Sequence, residues 1–356
     1  MVIIIQFGRF IEGMNNHYRL SLLDGLRLLA AISVVFYHVQ LSDGDLGIFS
    51  RGYLFVDFFF LLSGFVLTLA AEDRMNASGG ALRFLLARFA RLWPVIAIGA
   101  LTGALLRMIE TGQSVRMLLV QAMLLVPNVR HDGLIFPLNG PHWSMMLEVL
   151  ANIAHALVIR RLSDRMVLAV AGLGGMALAM AIFLVGSATF GPDSSNWWLG
   201  FARIGFSYPF GVWLARRWKN ASPASIQTSS GSYWFLALTL PLAALMVLPA
   251  LPLNTAVGDA LVILLVFPPL LWLAASATPP ARAGKWLGAA GLLSFPLYAV
   301  HLPILEYVGT LHLGLAGPVI AVAAALLAAA LIAQIPPVRA IRPFPRLRNR
   351  SAIPLP

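Results

Sequence analysis

The stretch DGLRLLAAISVVFYH, from Asp24 to His38, places an arginine and a histidine in a run that is otherwise apolar enough to cross a membrane. Arg27 and His38 are 11 residues apart, close to three helical turns, so their side chains share one helix face. At about 1.5 Å per residue they lie roughly 16 Å apart along the axis. Ionisable groups in a spanning helix are costly and usually line a bundle interior or a water-filled cavity. This helix is therefore predicted to face a functional site.

The composition is that of a polytopic membrane protein. Hydrophobic residues make up 59% and charged residues 11% of the 356 residues, and the mean hydropathy is +0.83. These values exclude an ordinary soluble domain. The net charge of +11 is typical of arginine-rich cytoplasmic loops, so no nucleic-acid partner is predicted. The absence of cysteine excludes disulfides, thiolate nucleophiles and Cys-ligated metal sites.

Runs of about 20 apolar residues predict an all-α bundle of about ten transmembrane helices. They cover residues 22–40, 53–71, 92–109, 142–159, 166–186, 197–215, 233–250, 258–275, 286–308 and 315–335. Basic loops alternate with acidic or polar ones, which places both termini on the cytoplasmic side. The apolar segment 117–127 is too short to cross and is predicted to be re-entrant or interfacial.

The chain divides into a cytoplasmic N-terminal segment at 1–21, a transmembrane domain at 22–335 and a basic cytoplasmic tail at 336–356. The first 13 residues lack the small-residue cleavage site of a signal peptide, and Met14 is an alternative start. No soluble domain and no inverted repeat of the transporter kind is recognised. The chemistry is therefore expected inside the helix bundle.

Four spans carry titratable side chains at a similar predicted depth. Counted from the predicted span ends, the outer half of the membrane contains His38, Asp57, Glu148 and His301. Together with His142 they include the ligand types of a zinc site, but the paired spacing of such a site is missing, so no metal is predicted. Proton transfer by a positioned imidazole is the favoured chemistry.

Several charged residues have a structural alternative. Arg203, in the sixth span, is as readily a counter-ion for Glu148 or Asp57 as a ligand for substrate. Arg88 and Arg91 share a helix face before the third span and could clamp phosphates, but ordinary positive-inside anchoring explains them more simply from spacing alone.

For other polar residues the structural alternative weighs more. An ion pair at i, i+3 between Asp24 and Arg27 is as probable as a functional role for this arginine. A hydrogen bond between helices is the favoured explanation of Ser63, Asn152, His155 and Ser294.

Five motifs in order resemble those of the integral-membrane acyltransferase family 3, which contains bacterial O-acetylases of surface polysaccharides and related glycans. They are LDGLR with the following histidine (Leu23 to His38), VDFFFLLSGF (Val56 to Phe65), RFARLWP (Arg88 to Pro94), HWSMMLE (His142 to Glu148) and SFPLYAVH (Ser294 to His301). Met145 stands where the family usually has leucine. Each motif alone is weak, but the ordered set spans nearly the whole chain and is specific.

The resemblance implies an O-acyltransferase with ten core helices and both termini inside, in the cytoplasmic membrane of a bacterium. It would move an acyl group, most simply acetyl, from cytoplasmic acetyl-CoA or another acyl-CoA to a hydroxyl of a surface glycan or lipid-linked saccharide. His38 would be the general base, and Asp57 or Glu148 would orient it or hold sugar hydroxyls. Tyr298 and His301 would donate to the developing oxyanion.

The same resemblance assigns two groups of binding residues. The CoA phosphates would be held by Arg27, Arg88 and Arg91. The acceptor would be contacted by His142, Trp143 and Arg203. The competing hypothesis is a proton-coupled transporter or flippase, because proton relays use the same residue types.

Overall fold

The computed structural model describes residues 17–18, 20–43, 49–130, 132–221, 234–247, 254–277, 279–335 and 347–348. This part of the chain contains eleven helices, which we number in chain order. They are α1 Ser21–Asp43, α2 Phe55–Met75, α3 Gly80–Thr111, α4 Arg116–Met123, α5 His142–Leu157, α6 Asp164–Val185, α7 Gly200–Asn220, α8 Trp234–Val247, α9 Thr255–Ser276, α10 Ala281–Thr310 and α11 Gly317–Gln334. Two short strands, β1 His17–Tyr18 and β2 Leu347–Arg348, pair antiparallel.

Eight of these helices are long and apolar enough to cross a membrane, namely α1, α2, α3, α5, α6, α9, α10 and α11. This confirms the predicted all-α, multi-pass class. The other two predicted spans are also helical: α7 has 21 residues but includes Arg203 and a basic end, and α8 is described over 14 residues. Helix α4 has eight residues, which is too short to cross, as predicted for this segment. The orientation stays a prediction, and most of the predicted terminal segments lies outside the described residues.

Helix α3 begins at Gly80, well before the predicted start of its span at residue 92. The intervening segment is rich in leucine, alanine and arginine, which are strong helix formers, so the helix extends beyond its apolar part. Gly79 and Gly112 flank the helix with left-handed φ values of 67° and 65°. Arg88 and Arg91 are therefore helical, and Pro94 lies inside the helix instead of in its first turn.

Two close helix contacts hold the bundle around the site. Helices α2 and α7 touch through glycines: a Cβ on Gly64 would lie 2.1 Å from the carbonyl oxygen of Tyr208, and one on Gly211 would lie 2.1 Å from that of Leu61. Helix α1 packs along α10, where Gly291 makes room for Asp24. Helices α1 and α10 also meet farther along, where His38 lies beside His301 in their C-terminal halves.

A buried network at the predicted outer end was missed by the sequence analysis. The Asp259 carboxylate on α9 is fully buried and pairs with Arg51. It also accepts hydrogen bonds of 2.8 Å from the Tyr53 hydroxyl and the Ala188 N–H. An acidic residue at the edge of a span is the signal that could have indicated this network. It joins three parts of the chain next to the site described below.

Candidate active site

The structure brings together two of the four titratable residues expected in the outer half, His38 on α1 and His301 on α10. His301 Nε2 lies 3.2 Å from His38 Nδ1. His301 Nδ1 lies 2.9 Å from the carbonyl oxygen of Tyr298 and 3.2 Å from that of Leu297. His38 Nδ1 also lies 3.0 Å from the carbonyl oxygen of Val34. The two histidines thus connect α1 with α10, which are far apart in the sequence.

These contacts define the tautomers of both rings. A carbonyl oxygen only accepts, so His301 Nδ1 carries its hydrogen and His301 Nε2 carries the lone pair of the neutral ring. By the same argument the Val34 oxygen places the hydrogen of His38 on Nδ1, where His301 Nε2 shares it, and the lone pair of the neutral His38 ring is then on Nε2. Both nitrogens of neutral His301 are thus engaged. The geometry supports His301 as the residue that orients His38 and does not support the expected donation from His301 to an oxyanion.

Tyr298 lies one turn before His301 and links α10 to the start of α5. Its hydroxyl is 2.7 Å from Ser144 Oγ, and Ser144 donates to the carbonyl oxygen of Pro141 at 3.0 Å. Because the hydrogen of Ser144 is directed to Pro141, Tyr298 donates its own hydrogen to Ser144. The expected role of Tyr298 as an oxyanion donor stays a prediction, and in this arrangement its hydroxyl bonds Ser144.

Glu148 belongs to a different group from the one predicted. Among the described residues it pairs with Arg88 and accepts a hydrogen bond of 3.0 Å from Ser63 Oγ, and it has no contact with His38. Arg27 and Arg91 interact electrostatically with Glu148 and with Arg88. Asp24 takes part in the same interactions. Glu148 is thus a counter-ion of the arginines and not the residue that orients His38.

This arginine cluster, formed by Arg27, Arg88 and Arg91 with Asp24 and Glu148, gathers side chains from α1, α3 and α5. Its three guanidinium groups outnumber its two carboxylates, so the cluster keeps a positive charge. Planar guanidinium groups bind phosphate bidentately and remain charged at any physiological pH. The three arginines that the resemblance assigned to CoA thus belong to one group of interacting charges.

Asp57 pairs with Arg203 in the interior of the protein. Arg203 Nη2 and Nε lie 2.6 and 3.1 Å from Asp57 Oδ2, and two further N–H groups of Arg203 donate to the carbonyl oxygens of Tyr53 and Phe190 at 3.0 and 3.1 Å. Its guanidinium also lies over the Trp143 ring at 5.2 Å. The counter-ion alternative for Arg203 thus describes the geometry, and Asp57 faces Arg203 instead of His38.

The three residues expected to contact the acceptor all have protein partners. Arg203 and Trp143 are buried against each other, and His142 is fully buried with Nε2 at 3.3 Å from the carbonyl oxygen of Ile96. Among the described residues, however, the buried Nδ1 of His142 has no hydrogen-bond partner. The substrate role of these three residues therefore stays a prediction.

His155 and Asn152 lie in a separate network near the C-terminal end of α5. His155 Nδ1 is 3.0 Å from the Tyr208 hydroxyl, which donates to Asn152 Oδ1 at 3.2 Å. His155 Nε2 lies 3.5 Å from Glu72, which also pairs with Arg216. These are contacts between helices, of the structural kind that the sequence favoured for both residues.

The comparison with known proteins decides which class of protein this site belongs to. Residues 20–335 match the acyltransferase domain of acyltransferase family 3. The chain belongs to this family. It is therefore a multi-pass membrane acyltransferase that uses an acyl donor, and of the two classes that the sequence left open, the family membership favours the enzyme over the transporter.

Three relatives illustrate the family. The chain is 31% identical over 195 residues to protein 2 in the picA locus of Rhizobium radiobacter, and this match covers 48% of this chain and 96% of that protein. It is 32% identical over 145 residues to acyltransferase MdmB of Streptomyces mycarofaciens, and this match covers 36% of each chain. It is 37% identical over 78 residues to peptidoglycan O-acetyltransferase OatA of Listeria monocytogenes serovar 1/2a, 21% of this chain and 12% of OatA. No solved structure matches.

Proposed function

We propose that this acyltransferase moves an acyl group, most simply acetyl, from acyl-CoA on the cytoplasmic side to a hydroxyl of a surface or exported glycan, with His38 as the general base. The two contacts of His38 Nδ1, with the carbonyl oxygen of Val34 and with His301 Nε2, carry the proposal, because they place the hydrogen of the neutral ring on Nδ1 and hold the ring between two helices. A fixed neutral imidazole is suited to take a proton from a hydroxyl.

The chemistry then follows in two steps. His38 Nε2 takes the hydroxyl proton of the acceptor while the acceptor oxygen attacks the thioester carbonyl carbon and forms a tetrahedral intermediate. The carbon–sulfur bond breaks, the ester remains on the acceptor, and the leaving CoA sulfur receives the proton from His38. A positioned general base of this kind contributes about 10² to 10⁴-fold to the rate.

The donor would lie along α1. Arg27 in the arginine cluster and His38 in the histidine pair are on one uninterrupted helix, so their separation along the axis stays at roughly 16 Å. The phosphates of CoA would bind the arginine cluster, and the pantetheine arm would carry the thioester along this face to His38. Binding the phosphates at one end and transferring the acyl group at the other would explain why α1 has a cation near its predicted inner end and an imidazole near its predicted outer end.

The acceptor and the location rest on the relatives. OatA is named for O-acetylation of peptidoglycan, and a glycan hydroxyl is the acceptor that a general base of this type would activate. We infer the bacterial cytoplasmic membrane as the site of action, since acyl-CoA is cytoplasmic and the acceptor is exported or lipid-linked.

The test is the His38→Ala variant, purified beside the wild type. Free CoA is released when acetyl-CoA reacts in the presence of membranes that supply the acceptor, and a thiol reagent detects it without reacting with the cysteine-free enzyme. Turnover should fall by about 10² to 10⁴-fold while acetyl-CoA affinity stays unchanged, because the base acts in the transition state. The control is His155→Ala, whose contacts are with Tyr208 and Glu72 and which should retain turnover. Turnover near that of the wild type in His38→Ala would place the base elsewhere.

A further inference from the structure

One carbonyl oxygen beside His301 lacks its usual partner within α10. Pro303 has no N–H, so the carbonyl oxygen of Ala299, four residues earlier, cannot accept the regular helical hydrogen bond. Ala299 is fully buried, where an unpaired carbonyl is destabilising. The side-chain amide of Asn139 donates to this oxygen at 2.6 Å. Asn139 thus replaces, from outside the helix, the hydrogen bond that Pro303 removes.

Two neighbouring features fix this amide in place. The backbone N–H of Asn139 donates to Phe136 at 3.1 Å, and its carbonyl oxygen accepts from the N–H of His142 at 3.0 Å, so the turn before α5 is tightly bonded. On the other side, a Cβ on Gly99 of α3 would lie 2.5 Å from the Ala299 oxygen and 2.9 Å from Asn139 Nδ2. Only glycine leaves room for the contact.

The bridged turn is also the turn that presents His301. Ala299 and Pro303 lie two residues before and two residues after His301. His301 Nδ1 bonds back to the carbonyl oxygens of Leu297 and Tyr298, immediately before Ala299. A helix turn that has lost one bond at a proline bends more readily. The direction of this turn therefore sets where His301 Nε2 meets His38.

We propose that Asn139 is a positioning residue for the histidine pair: its amide closes the proline-broken turn of α10 and so fixes the contact between His301 and His38. The inference rests on the proposed role of His38. Asn139 itself touches neither ring, and it acts through the backbone of α10.

The first experiment truncates Asn139 and a matched buried amide. Asn139→Ala should lower kcat for CoA release from acetyl-CoA by about tenfold or more, since small misplacements of a reacting group are costly. KM for acetyl-CoA should stay within about twofold, because the donor phosphates bind elsewhere. The control, Asn152→Ala, removes a buried amide that bonds the Tyr208 hydroxyl and should lower thermal stability but not kcat. If both variants lose activity only in proportion to their stability, Asn139 is merely structural and the inference is wrong.

The second experiment is a double-mutant cycle with Pro303→Ala, which returns an N–H four residues after Ala299. In that background Asn139→Ala should cost no more than about twofold in kcat, since the helix then supplies its own donor. Equal losses in both backgrounds would overturn the inference. Should Pro303→Ala be too slow to assay, Asn139→Leu decides, because its side chain is similar in size and has no donor in any protonation state. Asn139→Leu must lose kcat as Asn139→Ala does, and wild-type kcat would refute the inference.

The His38→Ala assay separates the two hypotheses. Retained turnover in His38→Ala contradicts the proposed function. Loss of turnover in His38→Ala together with wild-type kcat in Asn139→Ala contradicts only the role of Asn139.

Discussion

At the scale of single residues, the charged side chains of this protein divide by the partner that each one meets. His38 meets another histidine, Arg88 meets Glu148, and Arg203 meets Asp57. The first contact holds the ring of His38 between two helices, the second belongs to a cluster that keeps a positive charge, and the third is a buried ion pair. Residues of the same chemical type therefore have different roles, because burial and partners decide what each can still bind.

The arginine cluster leads to a prediction about donor binding. Arg91→Ala should weaken acetyl-CoA binding by about tenfold or more, because a charge-assisted hydrogen bond to a phosphate is lost. Arg91→Lys should restore little of the lost affinity, since an ammonium group lacks the planar, two-pronged geometry of a guanidinium group. Isothermal titration of purified protein with acetyl-CoA measures both. Arg83→Ala, on the exposed face of the same helix, is the control. If Arg91→Ala binds acetyl-CoA as Arg83→Ala does, the arginines serve only membrane anchoring.

The Asp57–Arg203 pair leads to a prediction about stability. Arg203→Met alone should lower the free energy of unfolding by about 3–5 kcal/mol, because it leaves a buried carboxylate unpaired. Asp57→Leu combined with Arg203→Met should recover most of this loss, since both charges are then absent. Thermal unfolding in detergent measures both variants.

The control for that pair is Lys219→Met, which breaks the exposed Lys219–Asp73 contact of 2.7 Å and should cost less than about 1 kcal/mol. A stable Arg203→Met variant that has lost turnover with the acceptor would instead support a role for Arg203 in binding the acceptor.

At the scale of elements, small residues decide which helices approach closely. The sequence identifies α1, α2, α5 and α10 as helices with polar positions, but their neighbours depend on glycines such as Gly64 and Gly291, which allow backbones to meet. Prolines have a second effect on the same helices. Pro303 frees a carbonyl oxygen that a residue distant in sequence then binds, so an irregular point in α10 becomes a connection to the turn before α5.

Glycine packing gives a prediction for α2 and α7. Gly64→Ala places a methyl group where only 2.1 Å separates an ideal Cβ from the Tyr208 oxygen, so the helices must move apart. We expect a loss of about 1–3 kcal/mol, as for other overpacked sites, seen as a lower melting temperature of the detergent-solubilised protein. Gly205→Ala in α7 is the matched control, because no heavy atom lies within 4 Å of its Cβ position. Equal melting temperatures for the two variants would show that α2 and α7 are not held this closely.

At the scale of the whole molecule, the order of helices fixes which loops share a side of the membrane. Between Gly80 and Ser194 the chain contains α3, α5 and α6 as long apolar helices, with the short α4 among them. Three crossings put these two positions on opposite sides. The β1–β2 pair joins the two ends of the described chain.

The topology prediction can be tested with single cysteines, since the chain has none of its own. Ser195→Cys should react with a membrane-impermeant maleimide in intact cells, whereas Ser78→Cys should react only after permeabilisation, because the arginine-rich loops are expected inside. Ser229→Cys and a cysteine after Arg339, which lie outside the described residues, should behave like Ser78→Cys. Labelling of Ser78→Cys and Ser195→Cys from the same side would mean that α4 crosses the membrane or that a long helix does not.

The sequence by itself determined the membrane class, the position of nearly every helix and the family motifs. Apolar runs of this length cross a membrane as α-helices, because the helix satisfies every backbone hydrogen bond within the segment. The five ordered motifs can be recognised without coordinates. The sequence also placed Arg27 and His38 on one face, because spacing along a single helix is set by 1.5 Å of rise and 100° of turn per residue, about the values of any α-helix. These results depend only on local geometry.

Only the tertiary structure decided which polar groups meet. Depth along a helix predicted that Glu148 and Asp57 would join His38 and His301, but the structure pairs Glu148 with Arg88 and Asp57 with Arg203. It also showed Asn139, a loop residue without any motif signal, at the broken turn beside His301. The physical reason is that the rise per residue fixes height, whereas the rotation of each helix and its choice of neighbour result from contacts between glycines, prolines and aromatic rings far apart in the chain.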